Sequence, residues 1–241
     1  MRQSLSELYS TVRKAAVGQG ATYGIAEDLA DAVCWLNSLG FDGVSCAVDC
    51  LAHRPSDTSA VRLLRDESGL VLENAKPGTA ASALLAGPVL GDLLQTGAVP
   101  DSGFSVSVDV PLLVLAAVAQ TCARLKQRAW LMIHFEGQAV IGECNQETCQ
   151  VTIMTQEGTT TARSTTEVTL WPSQPDQSRN TMECLINSEE FSQRRNSALT
   201  KGLVVCEASL RQLETWAALT LVPETERSRE TGAGAGLLDN D

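Results

Sequence analysis

Over the first half of the chain, apolar residues return at helical spacing. Ser4 and Glu7 lie three apart, the spacing of a capping box in which each side chain satisfies the other's free backbone N–H. Leu5, Leu8, Tyr9, Val12, Ala15 and Ala16 then share one helical face, and Gly18-Gln19-Gly20 ends the run. A second helix is predicted over 25–38, with Ala26, Leu29, Ala30, Val33, Trp35 and Leu36 as its apolar surface and Gly40 as its cap. A short helix over 44–52 and a turn at 55–59 follow. The stretch 62–74 fits no single template, although Gly69-Leu70-Val71-Leu72 suits a short strand. A helix over 79–95 carries Pro88, which should kink it. Asp109 then reads as the N-cap of a helix over 110–127, with Pro111 in the first turn. That helix is apolar on nearly every face up to Cys122, which predicts a central buried position.

Beyond residue 127 the period shortens to two. Segments 129–135, 138–143, 148–154 and 159–170 read as four strands joined by short turns, an antiparallel meander. Trp171-Pro172 closes it, and 172–180 is a polar loop. Two mixed segments precede a strand at 203–206 and a helix at 208–219. The expected class is α+β: an N-terminal helical half packed with an antiparallel β-meander, and an ordered Gly-rich C-terminal tail. We expect a single domain over 1–241, with a helical half to about 127, a mainly β half to about 206, and the last helix and tail over about 207–241.

Composition narrows the function classes. With 241 residues, 44% hydrophobic, the chain can bury a real core, and only 4% aromatics means that core is Ala, Leu and Val. A net charge of −11 repels phosphate backbones and anionic bilayers, so nucleic acid and membrane partners are not expected. No apolar stretch follows Arg2, and no uncharged run reaches the roughly 20 residues a spanning helix needs. The expected location is cytoplasmic. The eight cysteines read mostly as small buried residues. Cys46, Cys50 and His53 (C-x3-C-x2-H) fit no standard zinc module and have no evident fourth ligand, so no metal is assigned. Cys144 and Cys149 flank a hairpin turn.

The last twenty residues combine three features. Arg227 and Arg229 flank Ser228, Gly232, Gly234 and Gly236 alternate with alanine, and Asp239, Asn240 and Asp241 close the chain. On an extended segment, side chains two apart point the same way, so the two guanidinium groups can together hold a carboxylate or phosphate. Alternating glycines let another group come close. The Asp-Asn-Asp end offers oxygens to a hard cation or to those arginines. The glycine spacing matches neither a Walker loop nor a dinucleotide fingerprint, so no nucleotide site or cofactor is assigned.

Three stretches are familiar together: SLSELYSTVRKAAVGQGATYGIAEDLADAVCWL, then ALLAGPVLGDLL with VPLLVLAAVAQ, and the ending in which VP precedes SR, GAGAGL and DND. They resemble the bacterial family known as domain of unknown function 3726. The resemblance implies one full-length unit and an ordered tail, packed in a cleft or at a subunit interface, but it implies no reaction.

The candidate proton-transfer residues are Glu27, at the start of the second helix, and His134, in a strand beside Trp130 and Met132. Ligand-binding candidates are Tyr23, Arg227, Ser228, Arg229, Gly234, Asp239 and Asp241. A more ordinary role competes at each: Glu27 answering its helix dipole, His134 as a structural histidine. Two functions follow. One is an enzyme or enzyme subunit acting on a small anionic metabolite, held by Arg227 and Arg229. The other is a non-catalytic accessory subunit whose Gly-rich tail docks on a partner enzyme or within a homo-oligomer.

Overall fold

The structure is a computed structural model of the chain. It describes residues 1–52, 61–66, 69–74, 79–135, 138–144, 149–154, 167–174 and 182–221. The turn expected at 55–59, the loop at 175–180, His53 and the whole tail from Val222 lie outside the described residues.

The first helices form where the apolar spacing places them. The short strand β1 (Arg2–Gln3) leads into α1 (Leu5–Gly18), whose capping box forms as expected: Ser4 Oγ accepts from the Glu7 N–H, and Glu7 takes the Ser4 N–H at 2.9 Å. Leu8, Val12, Ala15 and Ala16 are fully buried. The next helix, α2 (Tyr23–Leu39), starts two residues earlier than the pattern suggests and ends at Gly40 in the left-handed region. Helix α3 (Gly43–Ala52) follows. The ambiguous stretch resolves into a hairpin, β2 (Val61–Asp66) with β3 (Gly69–Asn74).

Helices α4 (Ala83–Gln95) and α5 (Pro111–Leu125) cross closely because α4 offers two glycines to α5. A Cβ on Gly87 would sit 2.9 Å from Ala117 Cβ, and one on Gly91 would sit 2.9 Å from Thr121 Oγ1. Glycines spaced four apart remove the ridge that would otherwise hold the helices apart. α4 starts later than the predicted 79 and continues through Pro88. As expected, α5 is the central helix: Leu113, Val114, Leu115, Ala116, Val118, Ala119 and Cys122 are all buried.

Asp109 departs from its expected role. The N-cap of α5 is Val110. The Asp109 Oδ1 instead accepts two backbone N–H groups at 2.7 Å, one from Val110 and one from Ala83, the first residue of α4. One carboxylate therefore closes the starts of two helices, while Ser82, at the N-cap position of α4, makes no side-chain cap bond.

The main sheet corrects the meander. Its order is β4-β8-β5-β6-β7-β9, where β4 is Phe104–Ser107, β5 Ala129–Phe135, β6 Gln138–Cys144, β7 Cys149–Met154, β8 Glu167–Trp171 and β9 Met182–Ile186. β5, β6 and β7 follow one another as predicted. The fourth strand is shorter than expected and pairs with β5, not β7, so the chain crosses from one side of the sheet to the other. The reason lies in the pairing: Val168 and Leu170 stand opposite Ile133 and Leu131, extending the fully buried face laid on α5. β4, with Phe104 and Val106 buried, completes that face.

Helix α6 (Ser188–Lys201) lies in a segment where no element was expected. It buries only Phe191 and Ala198, too few for an apolar stripe. It docks instead through particular contacts. The Phe191 ring lies 6.0 Å from that of Trp35, and Arg194 donates to the Leu39 carbonyl at the C-terminal end of α2, where a cation is favoured. Strand β10 (Leu203–Val204) pairs with β1, and α7 (Glu207–Ala218) packs on α1.

Candidate functional site

Helix α2 exposes three carboxylates, Glu27, Asp28 and Asp31. Tyr23 opens that helix and is 70% exposed. One turn on, Glu27 faces α1, where Arg13 lies 3.5 Å from its carboxylate. Asp28 and Asp31 follow. Burial pushes the Asp28 carboxyl up, helped by Glu27 and by Asp92 of α4, while Arg124 of α5 works against the rise. Burial also pushes the Asp31 carboxyl up, with Asp28 and Glu27 adding to it. Burial, then Asp31 and Glu27, raises the Tyr9 phenol on α1. Neither α2 aspartate was singled out in the sequence, because their i and i+3 spacing on a helix is ordinary surface patterning.

Beside Asp28 the surface opens into a groove between α2, α4 and α5, walled by Leu29, Ala32, Leu84, Pro88, Leu113 and Ala117. It is a shallow, partly open recess with a cavity volume of about 20 Å³, far short of the roughly 300–1,000 Å³ of a small-molecule or cofactor pocket. Its wall is apolar apart from Asp28, so it suits side chains and not a dinucleotide.

The remaining candidates fall apart in space or beyond the described residues. Tyr23 and Glu27 share the start of α2. His134 lies in β5, opposite Ala139 of β6. Arg227, Ser228, Arg229, Gly234, Asp239 and Asp241 lie outside the described residues. Cys46 and Cys50 do share one face of α3, but burial pushes their thiols up to about 11 and about 12. Among the described residues no group of three or more His, Cys, Asp or Glu is placed to hold a metal ion. Cys144 and Cys149 stand directly opposite across β6 and β7, as the hairpin suggested.

A second polar chain was not foreseen. Cys206, exposed at the N-cap of α7, has its thiol drawn down by hydrogen bonding to the Ser209 side chain and backbone. Ser209 Oγ lies 2.8 Å from Ser45 Oγ, which donates to Asp42 at 2.6 Å. Spacing along the chain does not reveal it, because residues 42–45 and 206–209 meet only when α7 packs near α3.

No helix among the described residues is long and apolar enough to cross a membrane. No curated protein matches the sequence. The fold is similar to that of malate dehydrogenase from Pyrococcus horikoshii OT3, with a TM-score of 0.61 at 10% identity, over 92% of this chain and 96% of that one. At that identity the likeness is one of fold. The central and C-terminal stretches that resembled the unknown-function family lie outside its matched segment, which is the N-terminal helical region. Residues 3–61 match the model described as protein of unknown function (DUF3726).

Proposed function

We propose that this protein is an enzyme, or the subunit of one, acting on a small anionic metabolite of the di- or hydroxycarboxylate class. The observation that carries the reading is a fold shared over 92% of the chain with a malate dehydrogenase, a protein named for a small dicarboxylate. The chain adds its own chemistry: Arg227 and Arg229, flanking Ser228, are spaced to grip one carboxylate, and Glu27 or His134 is the proton-transfer group. The enzyme class of the neighbour also calls for a hydride acceptor. The described residues offer no fit for a dinucleotide: the groove beside Asp28 is too small and apolar, and no Gly-x-Gly-x-x-Gly fingerprint occurs in the chain. No step is therefore derived through a nicotinamide.

The test is thermal unfolding of the full chain with malate, oxaloacetate, citrate and phosphate, each with and without NAD or NADP. A ligand of the folded state raises the midpoint by mass action. One carboxylate should raise Tm in the full chain, and Arg227→Ala/Arg229→Ala should abolish the shift. If no anion shifts the unmodified chain, with or without nucleotide, the metabolite reading fails and the accessory-subunit reading takes its place.

A further inference from the structure

The main sheet has two unlike faces. On the one against α5, Phe104, Val106, Leu131, Ile133, Val168 and Leu170 are at most 4% exposed. On the other, the same strands and β6 carry Ser105, Trp130, Met132, Glu143, Thr169 and Trp171, and all but Thr169 keep some contact with solvent. A solvated sheet face ordinarily presents polar side chains. This one presents two of the chain's four tryptophans, directly opposite each other: Trp130 of β5 pairs with Trp171 of β8. Met132 stands one step along, opposite Thr169.

The rings sit on a built platform. Gly103, with φ +91°, leads into β4, and a Cβ there would lie 2.3 Å from Trp171 Nε1. The indole therefore rests against main chain that only glycine leaves open. Beside the rings, Ser105 Oγ and Thr169 Oγ1 meet at 2.8 Å and satisfy each other. What the face offers outward is tryptophan and methionine, the residues that concentrate at the centres of protein interfaces.

Charge flanks Trp130 in two directions. Glu143 of β6 is its neighbour on the side away from Trp171. Arg128 lies two residues before it and is exposed. Among the described residues neither Arg128 nor Glu143 is ion-paired. From Trp130, Glu143 and Trp171 lie about 5 Å to either side, and Arg128 and Met132 about 6.6 Å down and up the strand. A two-fold axis through Trp130, in the plane of the sheet and bisecting the directions to Glu143 and Arg128, exchanges the two directions. It sets Trp130 on the partner's Trp130, Trp171 on the partner's Met132, and Glu143 on the partner's Arg128. The face is thus complementary to itself in shape and in charge, as a two-fold interface requires. The strands then cross at about 90°, one of the two ways in which sheets pack. Methionine sulfur on an aromatic ring adds a favourable contact.

We propose that two copies of this chain associate through these outer sheet faces, crossed about Trp130, with Glu143 of each copy paired to Arg128 of the other. The association needs no ligand and uses none of the residues of the metabolite reading, so the two stand or fall apart.

Sedimentation velocity of the full chain over a dilution series is the test, at about 0.15 M salt. The unmodified protein should run as a dimer that dissociates on dilution. Glu143→Arg or Arg128→Glu alone sets like charges together twice per dimer and should weaken association about tenfold or more. The two together restore opposite signs and should return it to within about threefold of the original. Trp130→Ser should abolish the dimer, with the unfolding midpoint of a dilute sample as the check on its fold. Arg128 and Glu143 lie at the rim, so the reversals decide the matter even if the Trp130 variant does not fold. A monomer at every concentration overturns the proposal and leaves the face to other segments of this chain or to another partner. A dimer that neither Trp130→Ser nor the single reversals weaken overturns it too, because the contact then lies on another surface. A double variant as weak as the single ones overturns the crossed arrangement.

Discussion

Replacing Asp109 should destabilise the protein more than replacing the residue that occupies the nominal cap of either helix it closes. Its Oδ1 accepts the Ala83 and Val110 N–H groups, both at 2.7 Å, and Oδ2 lies 3.9 Å from the Cys50 thiol. Asp109→Ala leaves two helix-start donors without that acceptor, in a partly buried setting. Losing a cap costs about 1 kcal/mol, and a hydrogen bond to a charged group contributes about 1.5–3 kcal/mol. The two bonds share one oxygen and do not add, so the expected loss is about 2–4 kcal/mol. For a chain of this size that lowers Tm by roughly 5–12 °C. Asp109→Asn keeps an oxygen in place and should cost about 1 kcal/mol or less. Ser82→Ala is the control: Ser82 holds the cap position but makes no cap bond, and its hydroxyl meets only the Cys50 sulfur at 3.7 Å among the bonds seen here. It should stay within about 1 kcal/mol of the original. Urea and thermal unfolding of the three variants decide the matter. If Asp109→Ala is no worse than Ser82→Ala, or if Asn is as damaging as Ala, the shared-carboxylate account is wrong.

Two further outcomes follow from the same geometry. Gly18→Ala should destabilise by about 1–3 kcal/mol, the scale of overpacking, because its Cβ would sit 2.1 Å from the Trp216 carbonyl oxygen, main chain that cannot swing aside; an unchanged unfolding midpoint would show that α1 and α7 are not in contact there. Brief alkylation with residue mapping should label Cys206 before Cys34, Cys46, Cys50, Cys122 and Cys144, since its thiol alone among these is exposed and drawn down. Because a lowered pKa gives thiolate at lower pH, its lead should widen as pH falls from 9 towards 7, whereas Cys34 and Cys50, pushed up to about 12 by burial, stay slow throughout. Labelling of Cys34 or Cys50 at the Cys206 rate contradicts this.

The helices were legible wherever one face had to be apolar. α1, α2, α3, α5 and α7 appear within a few residues of their predicted bounds, because a stripe at 3.6 spacing records burial directly. α6 was hidden because its packing rests on Phe191, Ala198 and the Arg194 contact to Leu39, a set with no stripe. β5, β6 and β7 were legible as neighbours since short turns force adjacency. The placement of β8 was not: Val168 and Leu170 carry the alternation of any half-buried strand, and nothing local says whether they face β5 or β7. Asp109 shows the same limit at one residue. A sequence places an acid before a helix, but that its oxygen also serves α4 depends on the bridge between Ala81 and Val108, 27 positions apart.

The candidate site was less legible than the fold for a physical reason. A core position must be apolar whatever the protein does, so its pattern can be read from one sequence alone. A binding group is set by which segments meet, and here the described partners come from α1, α2, α4 and α5, with Arg13, Glu27, Asp28, Asp92 and Arg124 far apart in the chain. Each of these is an unremarkable surface charge when read alone. Only their convergence makes a surface with three carboxylates and two guanidinium groups, and such a surface favours an incoming cation over any neutral neighbour.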